Sequence, residues 1–326
     1  MPLPSFKEQF AALIAAPSVS CTQPNWDQSN GPVIELLAAW LGDLTTGKIV
    51  FNAKDDRGAV LDSLNPVIFR DGSLLAIYHS LDAGSFRLNI AESDDGFVWK
   101  HVRELANHGS QGELFAATDG SWWVAFESDA PDSVHIRLQR YRTLAALRKG
   151  EPLLDELLPR SLAPSAEGTP SFESTNGDSA KLRLHYYRER DVDRAASGEF
   201  RGRGRWDAKV DDRWNQGLEG LGIKGNIGGR TKIRLAGKDW YIQEGQLAKN
   251  DWASWRIWLI DSKSLAPISI PVRTPGGSLS FANPHAVRVG TSREELLLTL
   301  FMPTEGNAPS EKGEAISVRR IPAQWR

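Results

Sequence analysis

The chain has 326 residues, a formal net charge of −2 at pH 7, 40% hydrophobic and 25% charged residues. That length suits one large all-β domain with an appendage, and the near-neutral balance excludes nucleic acid and anionic membranes as partners, since both favour a basic excess. The single cysteine, Cys21, excludes an intrachain disulfide and points to a reducing, cytoplasmic compartment. The opening MPLPSFKEQF lacks the basic head and apolar centre of a signal peptide, and no apolar run is long enough to form a transmembrane helix.

Residues 6–16 are predicted as a helix, because Phe6, Phe10, Leu13 and Ile14 recur at spacings of three and four. A stretch rich in turn formers, SVSCTQPNWDQSNGP, follows. Residues 33–44, VIELLAAWLGDL, are predicted as a second amphipathic helix. Its apolar residues Leu36, Leu37, Trp40 and Leu41 require a cover, either the following domain or a second subunit. The runs FAALIAAPSVSCTQP and DQSNGPVIELLAAWLGDL closely resemble the beginning of bacterial acetylornithine deacetylases, which are zinc-dependent amidohydrolases. The resemblance covers about residues 1–44. Members of that family continue into a metal site that opens with a His-x-Asp motif. None of the six histidines here stands in such a motif, so neither a metal site nor deacetylase activity is expected.

After Leu44 the helical period disappears. Five segments then share one pattern: 64–80, 111–128, 168–187, 227–244 and 282–301. Each opens on a break residue (Pro66, Gly112, Pro170, Gly229 and Pro284) and continues as a strand, a polar turn and a second strand. The breaks are 46, 58, 59 and 55 residues apart. Such periods, with four strands each, mark propeller blades. The expected fold is therefore all-β: a short deacetylase-like helical segment over 1–44, a linker over 45–61, and a five-bladed β-propeller over 62–326. RLNIAES and VWKHVREL complete the first blade, VHIRLQRY the second, WRIWLIDS and ISIPVRT the fourth, and EAISVRRI the fifth. The Arg-rich stretch of about 189–222 is expected as an insertion in the third, over the pocket face or at an interface.

In a propeller the innermost strand of each blade begins at the pocket face, and its antiparallel partner ends there. The strand starts supply Asn65, Gln111, Glu113, Glu167, Asn226, Arg230, Asn283 and His285, and the strand ends supply His79, Glu127, Tyr187 and Glu244. These polar groups stand in or beside apolar strands, where burial is costly unless they meet water, a ligand or each other. Each also has a structural alternative. Asn65 and Asn283 precede proline, where Asn caps turns; the glutamates can be ion-paired within blades; a lone histidine such as His285 often serves structure. The tryptophans can pack between sheets or offer a face to a sugar ring.

The turn ESDDGFVWK (92–100) resembles the Ser-x-Asp-Gly-x-x-Trp turn of sialidase-like and five-bladed glycosidase propellers, and DGSWWVAFES resembles a second-blade hairpin of arabinanase- and xylosidase-type glycosidases. The likeness spans roughly 62–320. It implies a carbohydrate-active propeller with two carboxyl groups flanking one bond. It also implies an aspartate base at the first inner strand, where the aligned position holds Asn65 and Asp62 stands three residues earlier. The expected function is glycoside hydrolysis in a central pocket. Glu113, Glu127, Glu167 and Glu244 are the candidate catalytic carboxylates, and Asn65, His79, Gln111, Tyr187, Asn226, Arg230, Asn283 and His285 are the candidate ligand contacts. A non-catalytic propeller that binds a glycan or another small molecule is the alternative, as is an enzyme of another class using the same pocket. The expected partner is a small-molecule or saccharide ligand, with no cofactor; the oligomeric state is left open.

Overall fold

The run LLAIYHS, residues 74–80, is apolar on both sides of its two-residue alternation, so it must be covered on both faces. In the computed structural model, which describes residues 31–290 and 292–326, Leu74, Ala76 and Tyr78 pack into one core and Leu75 and Ile77 into the next. The run WWVAF repeats this, with Trp122, Val124 and Phe126 on one side and Trp123 and Ala125 on the other. A sheet buried on both faces by neighbouring sheets is a propeller blade.

A helix, α1 (Gly31–Gly42), and a short strand, β1 (Lys48–Val50), come first. The first blade is β2 (Asp62–Ile68), β3 (Leu74–Asp82), β4 (Ser85–Ser93) and β5 (Lys100–Asn107). The second is β6 (Gly109–Ala116), β7 (Trp122–Ser128), β8 (His135–Tyr141) and β9 (Leu154–Leu157), with α2 (Leu144–Lys149) before its last strand. The third is β10 (Glu167–Asn176), β11 (Ser179–Glu189), β12 (Val192–Phe200) and β13 (Trp206–Val210), followed by α3 (Asp212–Gly220). The fourth is β14 (Ile227–Leu235), β15 (Lys238–Gln246), β16 (Trp255–Asp261) and β17 (Pro267–Ser269). The fifth is β18 (Ala282–Val289), β19 (Glu295–Met302), β20 (Gly313–Arg320) and, returning from the start of the chain, β1. All the strand pairs are antiparallel.

Local chemistry sets the turns. Asp71 accepts hydrogen bonds from the Ser73 N–H and hydroxyl, and Asp119 does the same for Ser121, so the two Asp-Gly-Ser turns close alike. Asp95 accepts from the N–H groups of Phe97 and Val98, both at 2.8 Å, and the buried Trp99 indole donates to the Gly96 carbonyl. Gly96 has φ +76°, and a Cβ there would strike Leu297.

Three expectations change. The span 45–61 is no plain linker: β1 pairs with β20 in register Lys48↔Val318, so an early segment supplies the outermost strand of the last blade and closes the ring. A three-residue strand gives too little alternation to register as one. The stretch 189–222 is no insertion over a pocket. It holds β12, β13 and α3, and its charges are spread over these elements and their turns, with Arg194 of β12 paired to Glu219 of α3 and Arg201, just after β12, paired to Glu199. The helix expected over 33–44 is α1, and it packs on the fourth and fifth blades through Ile34, Leu37, Ala38 and Leu41. Leu37 and Leu41 are buried there, but Leu36 lies on the outward side of the turn and is exposed. Trp40 rests against Trp325 and beneath the Arg319 guanidinium, which donates to the carbonyls of Leu41 and Asp43 at the end of the helix. The helix expected over 6–16 lies outside the described residues. Among those described, no helix is long and apolar enough to cross a membrane.

Candidate functional site

Every inner strand carries a bulge at its start. Pairing with the second strand slips between Asp62 and Asn65, Ser110 and Glu113, Gly168 and Ser171, Ile227 and Arg230, and Ala282 and His285. In four blades a non-glycine residue inside the bulge is left-handed: Ser63 (φ 55°), Gln111 (φ 46°), Thr169 (φ 43°) and Asn283 (φ 46°). Each turns its N–H toward an acceptor on the preceding blade. Gln111 donates to His79 Nδ1 at 3.4 Å, Thr169 to Glu127 Oε1 at 2.6 Å, Asn283 to Glu244 Oε2 at 2.6 Å, and Ser63 to Glu314 Oε2 at 3.2 Å. The strand-end groups therefore clamp blade to blade, and those bonds offset the cost of the left-handed backbone.

The bulges divide the axis into layers. Above them opens a cavity of about 560 Å³. Its lining includes Asp62, His79, Gln111, Glu127, Asp193, Asn226, Glu244 and Asn283, with Phe86, Trp252 and Trp255 at its apolar sides. At the bulges the channel narrows to a waist, where the first residue after each slip forms a ring: Asn65, Glu113, Ser171, Arg230 and His285. Below the waist a second cavity of about 310 Å³ opens.

The expected site residues thus separate. His79, Gln111, Glu127, Asn226, Glu244 and Asn283 come together in the upper cavity. Asn65, Glu113, Arg230 and His285 belong to the waist and the lower cavity. Glu167 lines neither, and its Oε1 accepts the N–H groups of Ser161, Leu162 and Ala163 to tie down a loop. Tyr187 is also outside both, its hydroxyl closing a turn with the Asp191 N–H at 2.6 Å. The first blade explains the displacement of Asn65. Its bulge closes on Leu64, where the others have Gly112, Pro170, Gly229 and Pro284, so Pro66 marks a position two residues late. The residue at the pocket is Asp62.

Four carboxyl groups face the upper cavity besides Glu305 at its rim: Asp62, Glu127, Asp193 and Glu244. Asp62 Oδ2 lies 3.4 Å from His79 Nε2, while its buried Oδ1 has no partner among the described residues. Asp193, at the start of β12, has its N–H held by Asn226 Oδ1 at 3.1 Å. Burial, aided by the neighbouring Glu127 charge, pushes its carboxyl up to about 7. Burial pushes Glu244 up to about 8 against the pull of the Asn283 and Gly229 N–H groups on its two oxygens. Asp193 escaped the sequence reading because it stands in the stretch expected as an insertion, and VDRAASGEF has no two-residue apolar alternation to mark it as strand.

Gly228 shows how tightly Glu244 is placed, since a Cβ there would overlap Glu244 Oε1. Gly228→Ala is expected to displace that carboxyl and lower stability by about 1–3 kcal/mol. Urea unfolding of the variant checks this.

Most of the tryptophans pack between blades, with Trp99, Trp123 and Trp240 fully buried. Trp252 is the exception in the pocket, 47% exposed and tilted against Trp255 at 6.3 Å between ring centroids. Among the described residues, no group of three or more His, Cys, Asp or Glu is arranged to hold a metal ion.

No family model matches the chain. Solved structures do. A thermostable family-43 glycoside hydrolase covers 80% of this chain and 89% of its own, with TM-score 0.54 and 10% identity. The GH62 α-L-arabinofuranosidase catalytic domain of Coprinopsis cinerea covers 82% and 94%, with TM-score 0.53 and 8% identity. An α-L-arabinofuranosidase of Fusarium graminearum, solved in complex with an iminosugar inhibitor, covers 84% and 97%, with TM-score 0.51 and 14% identity. The fold is that of the propeller glycoside hydrolases. In sequence, the acetylornithine deacetylases of Vibrio campbellii and Pectobacterium carotovorum are 54% and 57% identical over 44 residues. That stretch is 14% of this chain and 12% of each relative. In this chain, the described part of the deacetylase-like segment covers two propeller blades.

Proposed function

We propose that the upper cavity hydrolyses a glycosidic bond, with Asp193 as the proton donor and Asp62 as the base or nucleophile. Glycoside hydrolysis needs one carboxyl that keeps its proton near neutral pH and a second that accepts a proton or attacks the sugar. The observation that carries the reading is the contrast between these two aspartates in one cavity. Asp193 is pushed up to about 7 and has no hydrogen bond to its carboxyl among the described residues, so its proton is available. Asp62 is oriented by His79 beside Oδ2, and its partly exposed side chain lines the cavity while Oδ1 is buried without a partner among the described residues. Glu127 and Glu244 are tied to backbone N–H groups of the bulges and act as positioning residues. The cavity's volume lies within the range of small-ligand sites, and Trp252 offers an exposed aromatic face at its side.

The neighbouring arabinofuranosidases suggest that an assay panel begin with aryl α-L-arabinofuranosides. Asp62→Asn is expected to lower kcat by about 10²–10⁴-fold while leaving binding of the same sugar within a few-fold. Turnover unchanged in this variant sinks the assignment. A second reading, a non-catalytic glycan-binding propeller, is favoured by the clamping roles of His79, Glu127 and Glu244. It is distinguished by saccharide binding in calorimetry without turnover of any panel member by the wild type.

A further inference from the structure

The lower cavity holds a buried cation without a partner. Arg230 is 8% exposed, and its Nε and Nη1 have no hydrogen-bond partner among the described residues. No described carboxylate lies within ion-pair distance of it. Its guanidinium lies over Trp214, 4.4 Å from the ring centroid, and near Tyr241 at 5.5 Å. Arg183 shares the same two rings, at 5.6 Å from Trp214 and 5.0 Å from Tyr241. Two guanidinium groups thus border the same two rings, and Lys232 adds a third cation to the lining. Arg183 is paired with Glu173 and Lys232 with Asp239, so Arg230 has no ion-pair partner of its own among the described residues; Glu173, also in the lining, and Asp211 act on it only at longer range. An isolated buried charge is costly, and clustered like charges raise that cost.

We propose that the lower axial cavity binds a small oxyanion, a carboxylate or phosphate group, which bridges Arg230 and Arg183 and is met at the rim by Lys232. A planar guanidinium whose Nε and Nη1 have no partner among the described residues is suited to such an anion. Phe115 and Phe172, 5.4 Å apart between centroids, line the same space and provide an apolar wall for the body that carries the anion. Burial pushes the Glu113 carboxyl up to about 8, so at pH 7 it stays protonated and does not neutralise Arg230. The waist of about 20 Å³ separates this site from the upper cavity. The inference therefore stands apart from the glycoside reading and can fail without it.

The test is calorimetric titration of the full chain at pH 7 with inorganic phosphate and, separately, with acetate, at constant ionic strength. One of the two is expected to bind saturably with one site, and which one does so distinguishes a phosphate-bearing from a carboxylate-bearing ligand. Arg230→Met is expected to abolish that binding. Lys232→Glu, at an exposed position where the fold is expected to persist and urea unfolding checks that it does, is expected to weaken it about tenfold or more. Glu113→Gln, by contrast, is expected to retain it. No saturable binding of either anion, or binding that Lys232→Glu leaves unchanged, overturns the proposal. So does anion binding that appears only in Glu113→Gln, because Glu113 would then be the ionised partner that occupies Arg230 in the wild type.

Discussion

A chain starting after Val50 is expected to be insoluble or unfolded at 25 °C, although it keeps all nineteen strands that follow β1. The truncation removes α1, whose Ile34, Leu37 and Leu41 are buried with Leu44 against Ile233, Leu235, Trp240, Leu298 and Leu300 of the fourth and fifth blades. Burying each of these four aliphatic side chains contributes about 1.5–3 kcal/mol, so together they match the whole net stability of a typical domain, about 5–15 kcal/mol. The truncation also takes β1 from β20, leaving an unpaired strand edge, and removes the carbonyls of Leu41 and Asp43 from the buried Arg319 guanidinium. A milder version gives a number: Leu41→Ala is expected to lower stability by about 2–5 kcal/mol in urea unfolding. A truncated chain that melts cooperatively near the wild-type temperature would show that the deacetylase-like segment is an addition to a self-sufficient propeller.

The blades were legible because their signal is repeated. Each hairpin places an apolar alternating run on either side of a turn with its own chemistry, as Asp71 and Asp119 show. What escaped was shorter or structurally displaced. β1 has three residues, and its partner β20 lies more than 260 residues away, so neither period nor proximity announces it. Asp193 stands where the apolar residues do not alternate: Val192, Ala195 and Ala196 are buried together with the charged Arg194, which Glu219 neutralises. Asp62 stands three residues before Asn65, and the bulge lies between them. A bulge adds a residue without changing the apolar pattern, so sequence alignment of the blades by proline and glycine assigns Asn65 to the wrong layer. The same bulges explain the polar strand ends. Glu127 and Glu244 recur because left-handed residues on the next blade need acceptors, a structural demand that looks like a catalytic one in the sequence.

Asp193→Asn is expected to remove about 10²–10⁴-fold of kcat on any substrate whose leaving group needs protonation, and much less on one with a leaving group of low pKa. The wild-type rate should fall as pH rises through about 7, because the proton donor works only while protonated and burial holds it near that value. The charged groups that bear on Asp193 are Glu127 and Asp191, which raise it, and Arg194, which lowers it. Glu127→Gln removes one of the two repulsive charges while keeping an oxygen for the Thr169 N–H and hydroxyl. Its alkaline limb should therefore move to lower pH, with kcat at pH 5 close to wild type. Arg194→Met should move the limb the other way; because Arg194 also binds the Asp193, Gly225 and Ile223 carbonyls, its stability is to be measured alongside. Opposite displacements in the two variants require a titrating group between Glu127 and Arg194, which is where Asp193 stands. A limb that stays in place in both variants assigns the proton to another carboxyl of the cavity, and Glu244, pushed up to about 8, is then the group to replace.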